Sequence, residues 1–236
     1  MPLNKILKNS SVHKNGKGLV AIFDLDSTVF DVSPRTEQIM KNLAANADFQ
    51  KRYPEQCKAL SKISVESTDW GIKDSLSRHK IEGTIDFFEE VREHWKTYFF
   101  HNDYLHLDQP YEGAIEYIKE LHKKGARIVY LTGRDVHRMG EGTKRVLLNW
   151  ELPVNDHHKL ILKPQKGMDD ATFKRDVIIE IEAEHDETWL FENEPVNISI
   201  VERYCPNVKI VFLDSTHSNR EDSPSHHHTL PMKYHW

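Results

Sequence analysis

The sequence predicts an α/β protein whose strands form a doubly wound parallel sheet. Short apolar runs without polar alternation are typical of strands that are buried on both faces, and amphipathic helical patterns separate these runs along the chain. The runs cover residues 20–23, 126–132, 160–162, 188–193 and 208–214. Each run ends in or is followed by polar residues, so we expect a polar site at the carboxyl edge of the sheet.

The first run ends in two aspartates that are separated by one residue. Val20 to Phe23 are mostly bulky or β-branched and predict a buried strand, and Asp24 and Asp26 follow directly in the sequence DLDST. Carboxylates placed there can bind a cation or attack a bound electrophile. Two solvated loop acids are the alternative interpretation of this short motif when it is considered alone.

The segment between the first two strands is longer than the sheet requires and has a helical pattern. Ser33 and Pro34 suit the start of a helix, and apolar residues follow at positions 39, 40, 43 and 47. A second helix is predicted over residues 84–100, where an apolar stripe repeats at intervals of three and four positions. The stripe consists of Ile85, Phe88, Val91, Trp95 and Phe99.

Three further helices are predicted between the later strands. Residues 114–124 are amphipathic, with Gly125 as a stop, residues 135–150 follow the second strand, and residues 195–204 begin with a proline in the first turn. We therefore predict a sheet domain of residues 1–31 and 108–215, which carries a helical insertion of residues 32–107.

After Asp214 the composition becomes polar, and residues 216–236 are predicted to be a His-containing tail. We expect this tail to be ordered only in part unless Tyr234 and Trp236 dock on the sheet domain. Three consecutive histidines at positions 226–228 could hold a transition metal loosely, but a short histidine tract without a spaced carboxylate favours a solvated segment.

The ends of the later runs supply groups that suit phosphoryl chemistry. Thr132 ends the second run, and Gly133 and Arg134 follow it; Glu192 and Asn193 end the fourth run. A hydroxyl and a glycine amide can donate to phosphate oxygens, and carboxylate and amide oxygens are hard ligands that suit Mg²⁺. Simple turn chemistry is the alternative interpretation of the TGR sequence.

The order of these motifs resembles the haloacid dehalogenase superfamily of phosphohydrolases. DLDST, TGR, a lysine that opens a helix and an acidic cluster after a strand occur in that order within residues 18–214. The resemblance implies a Rossmann-like core. It also implies that the helical insertion forms a small cap subdomain, which covers the active site and selects the substrate.

The resemblance further implies a role for each residue of the first two motifs. Asp24 would attack phosphorus and become an aspartyl-phosphate, and Asp26 would act as general acid and base. Thr132 and Gly133 would bind the phosphate. Arg134 would add a forked donor or pair with an acid on the cap.

Mg²⁺ is the cofactor that the resemblance implies, held by Asp24, Asp26, Glu192 and Asn193. Asp26 would contribute its backbone carbonyl. Glu194 is the alternative ligand to Glu192 and Asn193. The last motif of the family is usually built from aspartates, so Glu192 and Asn193 are a departure that implies a weaker or differently arranged metal site.

Two lysines compete for the position that the family fills with a phosphate-binding lysine. Lys163 follows the third strand, whereas Lys174 lies at the start of the next helix after Asp169 and Asp170. The spacing resembles the 3′-phosphatase domain of polynucleotide kinases, which favours Lys174. Lys163 remains the alternative.

These inferences predict a Mg²⁺-dependent phosphatase that acts on a small phosphorylated metabolite or nucleotide. A phosphatase of nucleic-acid ends and a catalytically degenerate binding protein are the alternatives. The oligomeric state and the particular ester are not indicated by the sequence.

Composition limits the class of protein. The 236 residues carry a formal net charge of −5, whereas nucleic-acid-binding proteins usually present a basic face. The cysteines, Cys57 and Cys205, suggest free thiols and not a disulfide framework. The polar first 18 residues resemble neither a signal peptide nor a membrane span, so we expect a cytoplasmic protein that contacts no membrane.

Overall fold

The computed structural model describes residues 2–10 and 17–236. Its centre is a six-stranded parallel sheet with the strand order β5-β4-β1-β6-β7-β8. The strands are β1 (Leu19–Phe23), β4 (Arg127–Asp135), β5 (Lys159–Lys163), β6 (Glu187–Glu192), β7 (Lys209–Leu213) and β8 (His228–Leu230). The predicted doubly wound α/β fold is confirmed.

Helices cover both faces of this sheet. They are α1 (Pro2–Asn9), α7 (Ala114–Lys123), α8 (Val136–Asn149), α9 (Asp170–Ala183) and α10 (Pro195–Tyr204). Alternate residues of β1 enter different apolar clusters: Phe23 packs with α1, α7 and α8, whereas Ile22 packs with α9 and α10. β1 is therefore buried on both faces, which is why its sequence shows no polar alternation.

A group of helices is inserted between two short antiparallel strands, β2 (Phe30–Asp31) and β3 (Gln109–Pro110). The insertion contains α2 (Ser33–Ala44), α3 (Ala47–Arg52), α4 (Pro54–Leu60), α5 (Gly71–Arg78), α6 (Ile85–Phe99) and a 3₁₀-helix (Asn102–Leu107). Its helices enclose an apolar cluster of their own. The domain boundaries assigned from the sequence stay a proposal.

The inward face of α6 differs from the predicted stripe. Phe87 and Val91 are fully buried, whereas Ile85 is 77% exposed and Phe88 is 37% exposed. Phe87 packs 5.8 Å from Phe49 between ring centroids, so the helix is rotated toward positions that the stripe omitted. Ala47 was predicted to continue the apolar face of the helix that starts at Ser33. This prediction is wrong, because Ala47 starts α3 and is exposed.

Three residues of the predicted polar tail, His228–Leu230, form a strand of the sheet. β8 pairs with β7 in parallel, and Tyr234 is 1% exposed and donates a hydrogen bond from Oη to the carbonyl oxygen of Thr28 at 3.1 Å. The sequence predicted that the tail would be ordered if Tyr234 and Trp236 docked on the sheet domain. Tyr234 does dock, and the ring of Trp236 lies 5.3 Å from that of Tyr117 between centroids.

The N-terminal segment forms α1, which the sequence interpretation did not predict. Leu3 and Ile6 are fully buried against the same face of the sheet as α7. Residues 11–16 of this polar segment lie outside the described residues.

Candidate active site

Asp24 lies at the carboxyl end of β1, between the ends of two neighbouring strands. Its backbone N–H donates to the carbonyl oxygen of Phe191 in β6 at 3.0 Å, which holds the residue in line with the sheet. The side chain is buried, and Oδ1 accepts a hydrogen bond from Nζ of Lys174 at 2.7 Å. Its second oxygen, Oδ2, accepts no hydrogen bond from any residue of the described ranges.

Lys174 joins Asp24 to Glu192. Its Nζ donates to Oε2 of Glu192 at 2.6 Å, and all three side chains are at least nine-tenths buried. Burial lowers the pKa of Lys174, but the two carboxylates outweigh burial and hold the pKa above its usual range. Burial raises the pKa of Asp24, and the Lys174 ammonium opposes that rise.

The two candidate lysines occupy different surroundings. Lys174 is the lysine that contacts the aspartate of the first motif, as preferred from the sequence. Lys163 ends β5, forms an ion pair with Asp170 and donates to the carbonyl oxygen of Met168 at 3.1 Å. These contacts stabilise the turn before α9, so the structure gives Lys163 partners in this turn.

Asp26 is bound by two arginines from different parts of the fold. Oδ1 accepts from Nη2 of Arg35 in α2 at 2.8 Å and from Nη2 of Arg134 in β4. Both arginines also bind Asp108, whose Oδ2 lies 2.7 Å from Nη2 of Arg134. Burial favours protonation of Asp26, but the two guanidinium groups outweigh it and hold the pKa of Asp26 well below its usual range.

The second of the two roles predicted for Arg134 therefore needs a correction. Arg134 pairs with acids, but these are Asp26 of the first motif and Asp108 beside β3, both outside the helical insertion. Its side chain is almost completely buried and makes no contact with Asp24. The arginine from the insertion is Arg35, so the helices meet the sheet domain through two buried arginines, the buried Asp108 and the partly exposed Asp26.

Sequence analysis missed Arg35 and Asp108. Both are fully buried as side chains, and Arg35 also lies 4.3 Å above the centroid of the Phe99 ring. An arginine in the first turn of a helix is usually a solvated charge. The sequence feature that could have indicated Asp108 is its position directly before Gln109 and Pro110, where the chain returns from the insertion to the sheet domain.

Thr132 and Gly133 lie inside β4, which extends three residues beyond the predicted end. Thr132 is 1% exposed, and its Oγ1 accepts a weak hydrogen bond from the backbone N–H of Arg134 at 3.3 Å. A Cβ on Gly133 would lie 2.6 Å from Oδ2 of Asp170. The neighbouring atoms belong to a flexible side chain, so Gly133 marks a close contact between β4 and the Asp170 carboxylate at the start of α9.

The end of β6 carries the oxygens predicted to hold a cation. Oε1 of Glu192 accepts from the backbone N–H groups of Asn193 and Glu194 at 3.1 and 3.0 Å. Oδ1 of Asn193 accepts from Oγ1 of Thr28 at 3.0 Å. The carboxylate of Glu194 instead binds Ser218, which gives it a structural partner away from Asp24.

The oxygen atoms at these strand ends are of the kind that binds Mg²⁺. Asp24, Glu192 and Asn193 present hard oxygens at neighbouring strand ends, and Oδ2 of Asp24 makes no hydrogen bond with the described residues. Glu192 and Asn193 are already engaged in hydrogen bonds, so a cation would share these oxygens with Lys174 and Thr28. Such a site needs one or two carboxylates and leaves other positions for water.

A cavity of about 780 Å³ opens over these strand ends. Asp24, Asp26, Thr132 and Lys174 lie on its floor. Helices of the insertion form the opposite wall with Trp70, Lys73, Arg92, Trp95, Lys96 and Phe99, and the segment after β7 adds Thr216, His217, Ser218 and Arg220. The size suits a small phosphorylated molecule better than a folded macromolecule.

The fold and the site define a hydrolase with an aspartate and a lysine at the carboxyl edge of a parallel sheet. A family model described as haloacid dehalogenase-like hydrolase matches residues 19–199. The chain therefore belongs to the haloacid dehalogenase-like hydrolase family, and the predicted family and enzyme class are confirmed.

Solved structures show the same fold at low sequence identity. A candidate phosphatase from Clostridium difficile aligns with a TM-score of 0.53 and 14% identity over 89% of this chain and 90% of its own. Protein Tyrosine Kinase A from Mycobacterium tuberculosis aligns with a TM-score of 0.55 and 12% identity over 92% and 94%. No curated protein matches the sequence.

No helix of the described residues has both the length and the apolar character needed to span a bilayer.

Proposed function

We propose that the protein is a Mg²⁺-dependent phosphatase that hydrolyses a phosphomonoester of a small metabolite or nucleotide through an aspartyl-phosphate. The position of Asp24 carries this proposal. Its carboxylate lies at the end of β1, 2.7 Å from the Lys174 ammonium, on the floor of a cavity that can hold a small molecule. Covalent catalysis would divide a difficult displacement into two easier steps.

In the first step a carboxylate oxygen of Asp24 would form a bond to phosphorus while the bond to the ester oxygen breaks. The Lys174 ammonium would hold Oδ1 and orient the attacking carboxylate. The hydroxyl of Thr132 and the amide of Gly133 would donate to phosphate oxygens, which reduces the repulsion between the two anions. Mg²⁺, held by Asp24, Glu192, Asn193 and the backbone carbonyl of Asp26, would supply further neutralisation of the phosphate charge.

Asp26 would serve as the acid and base of the two steps. Two guanidinium groups keep it ionised in the structure, a state that suits removal of a proton from the hydrolytic water. Protonation of the leaving oxygen requires the opposite state. We infer that a contact with Arg35 or Arg134 must weaken before Asp26 can deliver a proton, and Arg35 lies on the helical insertion that covers the cavity.

The size of the cavity and the negative net charge favour a small substrate over a nucleic-acid end. The degenerate binding protein stays an alternative because Glu192 and Asn193 depart from the family pattern. The cytoplasmic location stays a prediction; Cys57 and Cys205 are free buried thiols, as is common in a reducing compartment.

Activity toward p-nitrophenyl phosphate with Mg²⁺ tests this proposal, with Asp24→Asn as the decisive variant. We expect Asp24→Asn to abolish turnover while the circular dichroism spectrum stays that of the wild type. EDTA should stop turnover of the wild type, and added Mg²⁺ should restore it. Lys163→Met is the matched control, because it removes a lysine near the cavity that does not touch Asp24.

Phosphate release should then be compared across sugar phosphates, nucleotides, phosphorylated coenzymes and a 3′-phosphorylated oligonucleotide. Release from the oligonucleotide alone would replace the small-substrate proposal with the nucleic-acid alternative. A flat baseline across the whole panel would favour the binding protein. Equal turnover of Asp24→Asn and wild type would contradict the role of Asp24.

A further inference from the structure

A group of potential metal ligands lies outside the cavity, between α10 and the start of β8. Glu202 belongs to the last turn of α10, and His226 and His227 directly precede β8. Oε1 of Glu202 lies 2.5 Å from Nε2 of His226 and 2.8 Å from Nε2 of His227. One ligand atom from each residue lies within 4.8 Å of the other two.

The nitrogen of His227 lacks the partner that a buried polar atom normally has. Nε2 of His227 is shielded from solvent, and its position near Glu202 does not satisfy hydrogen-bond geometry. Buried side-chain polar atoms are usually hydrogen-bonded. Nε2 of His226 and Nε2 of His227 both face the same carboxylate oxygen, Oε1 of Glu202, and two ring nitrogens around one carboxylate oxygen form a set of ligand atoms that a single cation can join.

The two nitrogen–oxygen distances are within about 1 Å of the separation between neighbouring ligands in a tetrahedral metal site. Bonds of about 2.0–2.1 Å to imidazole nitrogen and carboxylate oxygen place neighbouring ligands about 3.3 Å apart. The two nitrogen–oxygen distances would have to open by less than about 1 Å to reach that separation. His226 and Glu202 are partly exposed side chains, so small rotations can supply this change.

The ligand types select a particular class of metal. Imidazole nitrogen suits Zn²⁺ and related first-row ions, whereas Mg²⁺ prefers oxygen ligands alone. Two histidines and one glutamate leave a fourth position for water, and this combination binds Zn²⁺ in known sites. The carboxylate that the sequence interpretation found missing beside the histidine tract is supplied by α10 in space.

We propose that Glu202, His226 and His227 bind one Zn²⁺ ion, which fastens the segment before β8 to α10. This segment runs from β7 along the cavity wall, where the carbonyl oxygen of Thr216 accepts from Asn193 at 2.7 Å and Ser218 binds Glu194. The ion would therefore stabilise the C-terminal part of the wall from outside the cavity. The proposal is independent of the phosphatase chemistry.

Calorimetric titration of the full-length, untagged protein with Zn²⁺ tests this site. The protein is stripped with EDTA and returned to a buffer that contains excess Mg²⁺, so that hard-oxygen sites are occupied. We expect the wild type to bind one Zn²⁺ per chain. Glu202→Gln and His227→Asn should each weaken binding by more than about 100-fold, since changes to outer partners of a metal already cost 10–100-fold.

His228→Asn is the matched control. His228 is the third residue of the same tract, but its ring stacks on Trp189 at 6.3 Å between centroids and is not one of the three ligands. This variant should bind Zn²⁺ as the wild type does. A Co²⁺-loaded wild type should also show the visible absorption of a tetrahedral ion, and Glu202→Gln should lose it.

Thermal unfolding supplies a second readout that does not depend on activity. Zn²⁺ should raise the Tm of the wild type and of His228→Asn, because a ligand that binds only the folded state stabilises it, and it should leave Glu202→Gln unchanged. Unchanged Zn²⁺ affinity in Glu202→Gln and His227→Asn would overturn the proposal, as would a wild type that binds no Zn²⁺. If Glu202→Gln fails to fold, His226→Asn provides the same comparison.

Discussion

At the scale of single residues, Asp26 owes its charge to Arg35 and Arg134. The side chains of Arg35, Arg134 and Asp108 are almost wholly buried, and that of Asp26 is 29% exposed. Removing one member leaves a buried charge without its partner, which costs far more than the loss of a surface ion pair. The set therefore links the acid and base role proposed for Asp26 to the stability of the contact between α2 and the sheet domain.

Arg134→Met should lower the free energy of unfolding by about 3–5 kcal/mol. The substitution leaves Asp26 and Asp108 with Arg35 as their remaining guanidinium partner. Urea denaturation followed by circular dichroism measures the change.

Arg145→Met is the control for this prediction, because Arg145 is exposed and makes one long contact with the carbonyl oxygen of Asn102 at 3.4 Å. Its effect should stay within about 0.5 kcal/mol. The double variant Arg134→Met, Asp108→Asn should recover part of the lost stability, since it removes the unpaired carboxylate. Equal effects at Arg134 and Arg145 would contradict the buried network.

The residues around Asp24 were predictable because each ends a strand. Lys174 could also be chosen over Lys163, since its spacing resembles that of the 3′-phosphatase domain of polynucleotide kinases. Arg35 and Asp108 could not be found in this way. Their meeting depends on how the insertion is placed over the sheet, and 73 residues separate them along the chain.

At the scale of elements, a glycine sets the contact between α8 and the 3₁₀-helix. The backbone N–H of Gly142 donates to Oδ1 of Asn102 at 2.6 Å. A Cβ at this position would lie 2.7 Å from the carbonyl oxygen of Asn102. The two helices can approach this closely only because position 142 has no side chain.

Gly142→Ala should destabilise the protein although alanine favours a helix. The new methyl group would push the backbone of the 3₁₀-helix away from α8, and overpacking of this kind costs about 1–3 kcal/mol. Gly140→Ala in the same helix is the control, because its Cβ would meet only Val136 at 3.9 Å. That variant should gain up to about 1 kcal/mol, as measured by thermal unfolding. A gain at both positions would contradict the close contact.

The end of α7 and the edge of the sheet meet at His158. Nδ1 of His158 accepts from the backbone N–H of Ile128 at 3.1 Å, and the ring packs against His122 at 4.5 Å between centroids. Burial, with smaller contributions from His122, His157 and Arg127, lowers the pKa of His158 from 6.5 to about 4. The folded protein therefore holds this imidazole neutral.

Stability should fall as the pH decreases through the range from 6.5 to about 4. Within this range the unfolded chain binds a proton at His158 and the folded protein does not, so acid favours unfolding; above it the contribution is complete. His158→Asn retains an acceptor for Ile128 and should remove about 1 kcal/mol of this pH dependence. Urea denaturation at pH 7 and pH 5 measures the difference, and identical slopes in both proteins would contradict it.

Regular elements were predictable where the local signal was clear, as in α10, which begins with a proline, and in β1, which is a continuous apolar run. The inward face of α6 was not, because Phe87, Phe88 and Val91 offer two apolar stripes of similar quality. The choice between them is made by Phe49 and Tyr53, which pack on Phe87 at 5.8 and 5.3 Å. Only the tertiary structure brings these rings together.

At the scale of the whole molecule, the C-terminal segment completes both the sheet and the apolar core. Tyr234 packs on Phe191 and Tyr117 with centroid distances of 6.1 and 5.9 Å. Polar composition concealed this role, because β8 has three residues and its neighbours are mostly exposed. The packing of Tyr234 and Trp236 on the core orders a segment whose other residues are mostly polar.

Tyr234→Ala should lower the free energy of unfolding by about 3–5 kcal/mol, as expected for loss of a buried aromatic ring. Tyr234→Phe should cost about 1 kcal/mol, since it removes only the hydrogen bond to Thr28. Trp236→Ala is the comparison at a ring that is 38% exposed, and its effect should be clearly smaller than that of Tyr234→Ala. Urea denaturation ranks the three variants, and a neutral Tyr234→Ala would mean that the segment does not support the core.

The order in which the strands pair has a consequence for synthesis on the ribosome. β1 is made early, yet it pairs with β4 and β6, which the ribosome produces only after every helix from α2 to α6. Those helices contact one another locally and can begin to pack while the nascent β1 still has no partner. Until β4 emerges, the apolar chain of β1 is open to chaperones, and Asp24 is made long before Lys174, which will bind it.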